Sequence, residues 1–179
     1  NVDYPHYKGI RIREIWEGNI KNENNEFLLN MKNRYSPIPS FLSIKFDSDL
    51  KLDNANFVRV FNSKKGTVGI IKKADNYNWR ADNFPLDELE LSIRNNQFDR
   101  IKGIINGSGS ISSDQSNIDG RLAWSLGKYR NIELDNSLFD FSLENNIFYV
   151  NSSLYPTDGG MIEVDYDSNK NNLINLDFN

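Results

Sequence analysis

Apolar and polar residues alternate along most of this chain with a period of two. The clearest run is 118–126. Ile118, Gly120, Leu122, Trp124 and Leu126 share one parity there, and Asp119, Arg121, Ala123 and Ser125 share the other. A period of two is the signature of a strand with one greasy face and one wet face. The pattern returns at Leu42, Ile44, Phe46, Leu50 and Leu52, set against Ser43, Lys45, Asp47, Asp49 and Lys51. Segments 27–31, 57–61, 67–71, 138–143, 147–154, 162–166 and 173–178 continue the series. The pattern predicts an all-β chain: one long, one-sided antiparallel sheet.

Asn, Asp, Gly and Ser punctuate the segments. Turns are expected at Asp53-Asn54, 63–66, Asp75-Asn76, Asn95-Asn96, 112–117, Asp135-Asn136, 144–146, Asp158-Gly159-Gly160 and 168–172. The polar stretch 19–25 also reads as a turn, and Pro37 and Pro39 interrupt the strand before Leu42. One helical turn is expected over Pro85 to Leu89, with Asn83 near its cap. Ile101, Gly103, Ile105, Gly107, Gly109 and Ile111 give one strand a glycine-rich face. Glycines there bend a sheet or remove side-chain bulk from it. Leu52-Asp53-Asn54-x-x-Phe57 recurs as Leu134-Asp135-Asn136-x-x-Phe139. The recurrence suggests repeat units over about 10–80 and 84–179 within one β domain spanning 1–179, in an extended or solenoidal architecture.

Composition narrows the function classes. Net charge is −4, and Lys and Arg cluster no further than the pairs Lys64-Lys65 and Lys72-Lys73, which argues against nucleic acid as a partner. There is no cysteine, hence no disulfide framework and no thiolate metal site. His6 is the sole histidine, which argues against a His-based metal site or triad. Asp165-x-Asp167-x-Asn169-x-Asn171 has the opening of a calcium loop, but Lys170 stands where glycine is needed and Leu176 where the closing glutamate is needed. Glu88/Glu90 and Asp47/Asp49 lie on polar faces or turns, and Gly107-Ser108-Gly109 lacks the lysine of a phosphate loop. No enzyme activity and no cofactor are expected. No apolar run approaches the roughly 18 residues of a membrane span. The chain starts at Asn1 rather than Met and stops in a strand-like run, so it reads as a segment of a longer protein.

Four features in order resemble the C-terminal region of the TamB family, within the wider AsmA-like group. They are Phe84-Pro85-Leu86-x-x-Leu89, Ile104-Ile105-Asn106-Gly107-Ser108-Gly109, Ile118-x-Gly120-x-Leu122-x-Trp124, and a meander ending in Asp158-Gly159-Gly160-Met161-Ile162. The resemblance covers about half the chain. It implies a long curved sheet folded like a taco around an open apolar groove, in a periplasmic segment of a protein anchored in the inner membrane. It further implies phospholipid transfer toward the outer membrane, or assistance to outer-membrane assembly with an Omp85-type barrel as partner. The family brings no catalytic motif.

Under that reading Leu42, Ile44, Phe46, Leu50, Leu52, Ile105, Ile118, Leu122, Trp124 and Leu126 line a groove for phospholipid acyl chains. Otherwise the same residues are the core of a β-sandwich. The competing function is a non-catalytic binding or adhesion module for carbohydrate or protein, with Trp16, Trp79 and Tyr155 on an outer face.

Overall fold

The computed structural model describes residues 14–34, 36–87, 89–90 and 100–170 in full, and the backbone pairing alone of 2–3, 6–7, 10–12, 91–94, 97–99 and 173–178. The side chain of His6, the Asn95-Asn96 turn, Glu88 and Asn171 lie outside the described residues.

Among the described residues, seventeen strands join one antiparallel sheet. They are β1 (Val2–Asp3), β2 (His6–Tyr7), β3 (Ile10–Ile12), β4 (Ile15–Glu23), β5 (Glu26–Arg34), β6 (Ser40–Phe46), β7 (Leu52–Phe61), β8 (Lys64–Lys73) and β9 (Asn76–Pro85). The series continues with β10 (Leu89–Arg94), β11 (Gln97–Ser112), β12 (Asn117–Tyr129), β13 (Ile132–Leu134), β14 (Ser137–Glu144), β15 (Ile147–Leu154), β16 (Ile162–Asp167) and β17 (Leu173–Phe178). Thirteen of them form one continuous ladder: β1, β4 to β9, β11, β12 and β14 to β17. The other four make a short flap, in which β2 pairs with β3, β3 with β10, β10 with the start of β11, and β13 with the end of β12. The ladder is not closed into a barrel. The all-β, open-sheet expectation therefore holds.

Several local expectations do not. Among the described residues there is no helix. Phe84 and Pro85 finish β9, where a proline costs no further ladder bond, and Leu86 turns the chain by donating its N–H to the Gly103 carbonyl at 2.8 Å. The stretch expected as a turn at 19–25 is mostly strand, and only Asn24 and Asn25 turn, both at positive φ. Asp53 and Asn54 lie inside β7. The turn comes earlier, because the Asp47 carboxylate accepts the N–H groups of Asp49 and Lys51, both at 2.9 Å. Leu50 sits in that turn at φ 60° and is 64% exposed, so it does not belong to the stripe of Leu42, Ile44 and Phe46. The Leu-Asp-Asn motif also folds in two ways. Leu52 to Phe57 is one continuous strand, whereas Leu134 closes β13 and Phe139 belongs to β14.

Two bulges set side by side bend the middle of the sheet. Ile105 faces Phe84 but Gly107 faces Ala81, so Asp82 and Asn83 share the place opposite Asn106. Ile104 faces Ser125 but Lys102 faces Lys128, so Leu126 and Gly127 share the place opposite Gly103. Asn83 and Leu126 take positive φ, and Gly103 lies at φ 118°. Leu126 is thereby turned out of the Trp124 parity and is 72% exposed, which removes it from the expected groove lining.

The fully buried hydrophobic residues collect at one end of the strands. Phe84, Leu86, Leu89 and Ile101 form a cluster there, with Trp16, Ile38 and Ala81 also buried. The hairpins at the opposite rim are held by polar side chains. In one of them, the Asp114 carboxylate accepts from Ser112 Oγ at 2.6 Å, Ser116 Oγ at 2.8 Å and Ser116 N at 3.0 Å. The Ser112 hydroxyl, helped by the N–H and hydroxyl of Ser116, holds this carboxyl down at about 2, against an ordinary 3.8. A lowered folded pKa contributes stability that is complete above the unfolded value and is lost as pH falls through the folded one. This hairpin should thus weaken between pH 3.8 and about 2. A carboxyl NMR titration will place the Asp114 midpoint near the lower figure, and Asp114→Asn will remove that slice of the acid dependence.

Candidate functional site: the apolar face

Because registers pass cleanly from strand to strand, cross-strand partners line up in rows. One row runs Ile20, Leu29, Ile44, Ala55, Ile70, Trp79, Gly109, Gly120, Phe141, Val150, Tyr166 and Ile174, from β4 to β17. No member is charged. Beside it runs Met31, Leu42, Phe57, Val68, Ala81, Gly107, Leu122 and Phe139. The row displaced by one residue, on the other face, reads Asn19, Asn30, Ser43, Asn56, Gly69, Arg80, Ser108, Arg121, Asp140, Asn151, Asp165 and Asn175. Period-two alternation within each strand has become two faces of opposite character across the whole sheet.

The sheet curls toward the apolar side. Trp16 on β4 meets Phe57 on β7, edge to face, with ring centroids 5.7 Å apart. Trp79 on β9 stacks on Phe141 on β14 at 5.9 Å. Each pair is separated by three strand spacings, about 14 Å in a flat sheet. The second pair lies over the facing glycines Gly109 and Gly120. A Cβ on Gly109 would come within 2.6 Å of the Trp79 indole nitrogen, and one on Gly120 within 2.9 Å of the Phe141 ring. The glycines thus make room for an indole, which fills the space itself. Trp79 Nε1 donates to the Asp119 carbonyl at 3.2 Å, and Trp124 Nε1 to that of Lys102 at 2.9 Å, so both tryptophans lie along the sheet with their polar atoms satisfied.

Of the residues expected to line a groove, Leu42, Ile44, Phe46, Leu52, Ile105, Ile118, Leu122 and Trp124 all belong to this face and all are half-buried. Phe46 and Leu52 face each other across the β6–β7 hairpin. Among the described residues every strand belongs to the one sheet, so no separate second sheet is packed on these residues. The alternation thus builds one continuous open sheet and not two separate ones.

One end of the face is closed by a polar plug that the sequence reading missed. Arg59 points inward from β7 with its side chain 0% exposed, and Glu14 is 2% exposed. Their charged atoms are 3.5 Å apart. Arg59 also donates to the Pro85 carbonyl at 2.8 Å and to Ser40 Oγ at 3.3 Å, and its guanidinium lies 6.0 and 5.8 Å from the Phe57 and Phe84 rings. Glu14 accepts from Ser36 Oγ at 2.7 Å and Asn33 Nδ2 at 2.9 Å. The available signal was parity: Arg59 shares the inward positions of Phe57 and Phe61.

Among the described residues, two of the open clefts lie over the polar row. The larger, of about 1070 Å³, runs over β11 to β16 and contains Asp119, Arg121, Asp140, Asn151 and Asp165. Its groups mostly engage one another. Arg121 Nε donates to Asp140 at 2.5 Å, Asn151 Nδ2 donates to Asp165 at 2.5 Å, and Ser110 donates to Asp119. The hydrogen bond from Arg121 to Asp140 raises the guanidinium pKa. The smaller, of about 590 Å³, lies over β4 to β7. Among the described residues no group of three or more His, Asp or Glu side chains is placed to hold a metal ion.

No protein-family model matches this chain, and neither a curated protein nor a solved structure matches it.

Proposed function

We propose that this chain is a lipid-shielding segment of a TamB-like protein of the cell envelope, acting without catalysis. Phospholipid acyl chains lie along the apolar rows, across the strands, on the half-buried surface between the polar plug and the hairpin rim. The observation that carries this reading is the uninterrupted apolar row from Ile20 to Tyr166, on a single open sheet with no separate second sheet packed on it. The headgroups stay in water at the rim, where Lys72 and Asp47 stand 3.9 Å apart. A periplasmic location, an inner-membrane anchor elsewhere in the protein and an Omp85-type barrel as partner belong to the same proposal. A row of exposed aromatics for sugar stacking finds no support in the three residues expected to form it. Trp16 is buried at 2%, Trp79 lies over the glycine pair, and only Tyr155 is exposed.

The test is Leu122→Asp combined with a photo-crosslinking residue at Phe139, its register partner on β14. Leu126, the sequence neighbour of matching parity, would report on the wrong side of the bulge. The half-exposed site should tolerate aspartate with a folded, β-rich protein, because the charge keeps access to water. Phospholipid crosslinking at position 139, strong in the parent, should be lost. A folded variant with undiminished crosslinking refutes lipid passage at this strand. An unfolded variant shows the site to be sealed core.

A further inference from the structure

The smaller outward cleft has a composition that neither the lipid reading nor the sheet's stability uses. Its floor is the polar row Asn19, Asn30, Ser43 and Asn56, one residue from each of four adjacent strands. Among the described residues, none of these four side chains makes a hydrogen bond. The larger cleft differs in this respect, since its carboxylates, amide and guanidinium are bonded to each other. Amide groups left open on a surface offer paired donors and acceptors. Strand spacing sets these at about 4.8 Å intervals, close to the length of one pyranose unit.

The row beside this one reads Glu17, Lys32, Phe41 and Val58, so the wall is apolar along β6 and β7. Phe41 is 49% exposed on this mostly polar face, and its cross-strand partners are Lys32 and Val58. An exposed ring next to a ladder of amides supplies a platform for the C–H face of a sugar and ligands for its hydroxyls. The charges at the edge are already paired, Glu17 lying 3.2 Å from Lys32 Nζ and 2.9 Å from Arg34 Nε. A charged ligand would have to compete with that arrangement, whereas a neutral one need not. A peptide strand is poorly served, because every backbone group in mid-sheet is engaged in the ladder and no edge is offered. The row continues past Asn56 into Gly69, where a Cβ would meet nothing nearer than Ala55 O at 3.8 Å and Asn56 Oδ1 at 4.0 Å. The cleft is thus open at that end. Its volume of about 590 Å³ falls within the usual range for small-ligand sites.

From these features we infer that the outer face of β4 to β7 binds a neutral oligosaccharide of two or three units. Phe41 stacks on one sugar ring, and Asn30, Ser43 and Asn56 hydrogen-bond its hydroxyls. This site is on the face opposite the apolar rows and stands or falls separately from lipid handling.

The probes are maltotriose, cellotriose and tri-N-acetylchitotriose, each titrated into the whole chain by NMR. At least one should bind with a dissociation constant on the order of 1 mM or tighter. Phe41→Ala should weaken it by roughly tenfold, since a single exposed ring carries the stacking. Gly69→Leu should block it by filling the open end without backbone strain. Leu122→Asp, on the other face, should leave it unchanged. Circular dichroism on each variant confirms the fold. Silence from all three sugars overturns the inference, as does binding that survives both Phe41→Ala and Gly69→Leu in folded protein.

Discussion

Arg59→Ala is expected to lower the unfolding free energy by about 3–5 kcal/mol, a large share of the about 5–15 kcal/mol that holds a domain folded. The guanidinium is fully buried among Phe57, Phe84, Ser40 and the Pro85 carbonyl. Removing it leaves Glu14, itself 2% exposed, as a buried carboxylate with the neutral donors Asn33 and Ser36 but without its cation. It also takes a charged donor from the Pro85 carbonyl where β9 ends and opens a cavity beneath two aromatic rings. Denaturant unfolding measures the loss. If the cost comes chiefly from the stranded carboxylate, Glu14→Gln combined with Arg59→Met should be markedly less damaging than Arg59→Met alone. An Arg59→Ala protein within about 1 kcal/mol of the parent would show that the plug does not hold this end together.

Phe84→Ala should cost a similar amount, about 3–5 kcal/mol, because its ring is 3% exposed and packs on Leu86, Leu89, Ile101 and Phe57. The informative comparison is Ile44→Ala, in the middle of the apolar row. Ile44 is equally apolar but only half-buried, so its truncation should cost about 1 kcal/mol. The contrast separates a sheet sealed only at one end from one packed throughout. Equal losses at the two positions, measured by the same denaturant series, would mean that something covers the face along its length.

Alternation made the strands and their two faces legible, because a period of two needs no knowledge of partners. The rows were not legible, since they depend on register, and register is fixed by where each hairpin turns. The Asp47 turn shows the difficulty. Asp53-Asn54 has the residue types of a turn but lies in a strand, while Asp47 captures two backbone N–H groups first. Leu50 kept the right parity in sequence and lost it in space. Leu126 did the same through a bulge whose cause, Gly103 on the neighbouring strand, is 23 residues away. Helix propensity after Asn83 was overridden by pairing of Phe84 and Pro85 with Ile105 and Ile104. Arg59 was invisible because a charge at an inward position is read from sequence as an irregularity, until Glu14 is brought to it from 45 residues away.

The central claim is that one face of this sheet, and not the other, meets lipid. Ser43 and Ile44 are adjacent in β6 and point to opposite faces, with Asn30 and Asn56 flanking the first and Leu29 and Ala55 the second. Placing benzoylphenylalanine at each position in turn, in protein expressed in a Gram-negative envelope, and analysing adducts by mass spectrometry tests the claim most directly. Phospholipid adducts at position 44 with none at position 43 are predicted. Equal labelling at both, labelling at 43 alone, or no lipid at either would contradict it.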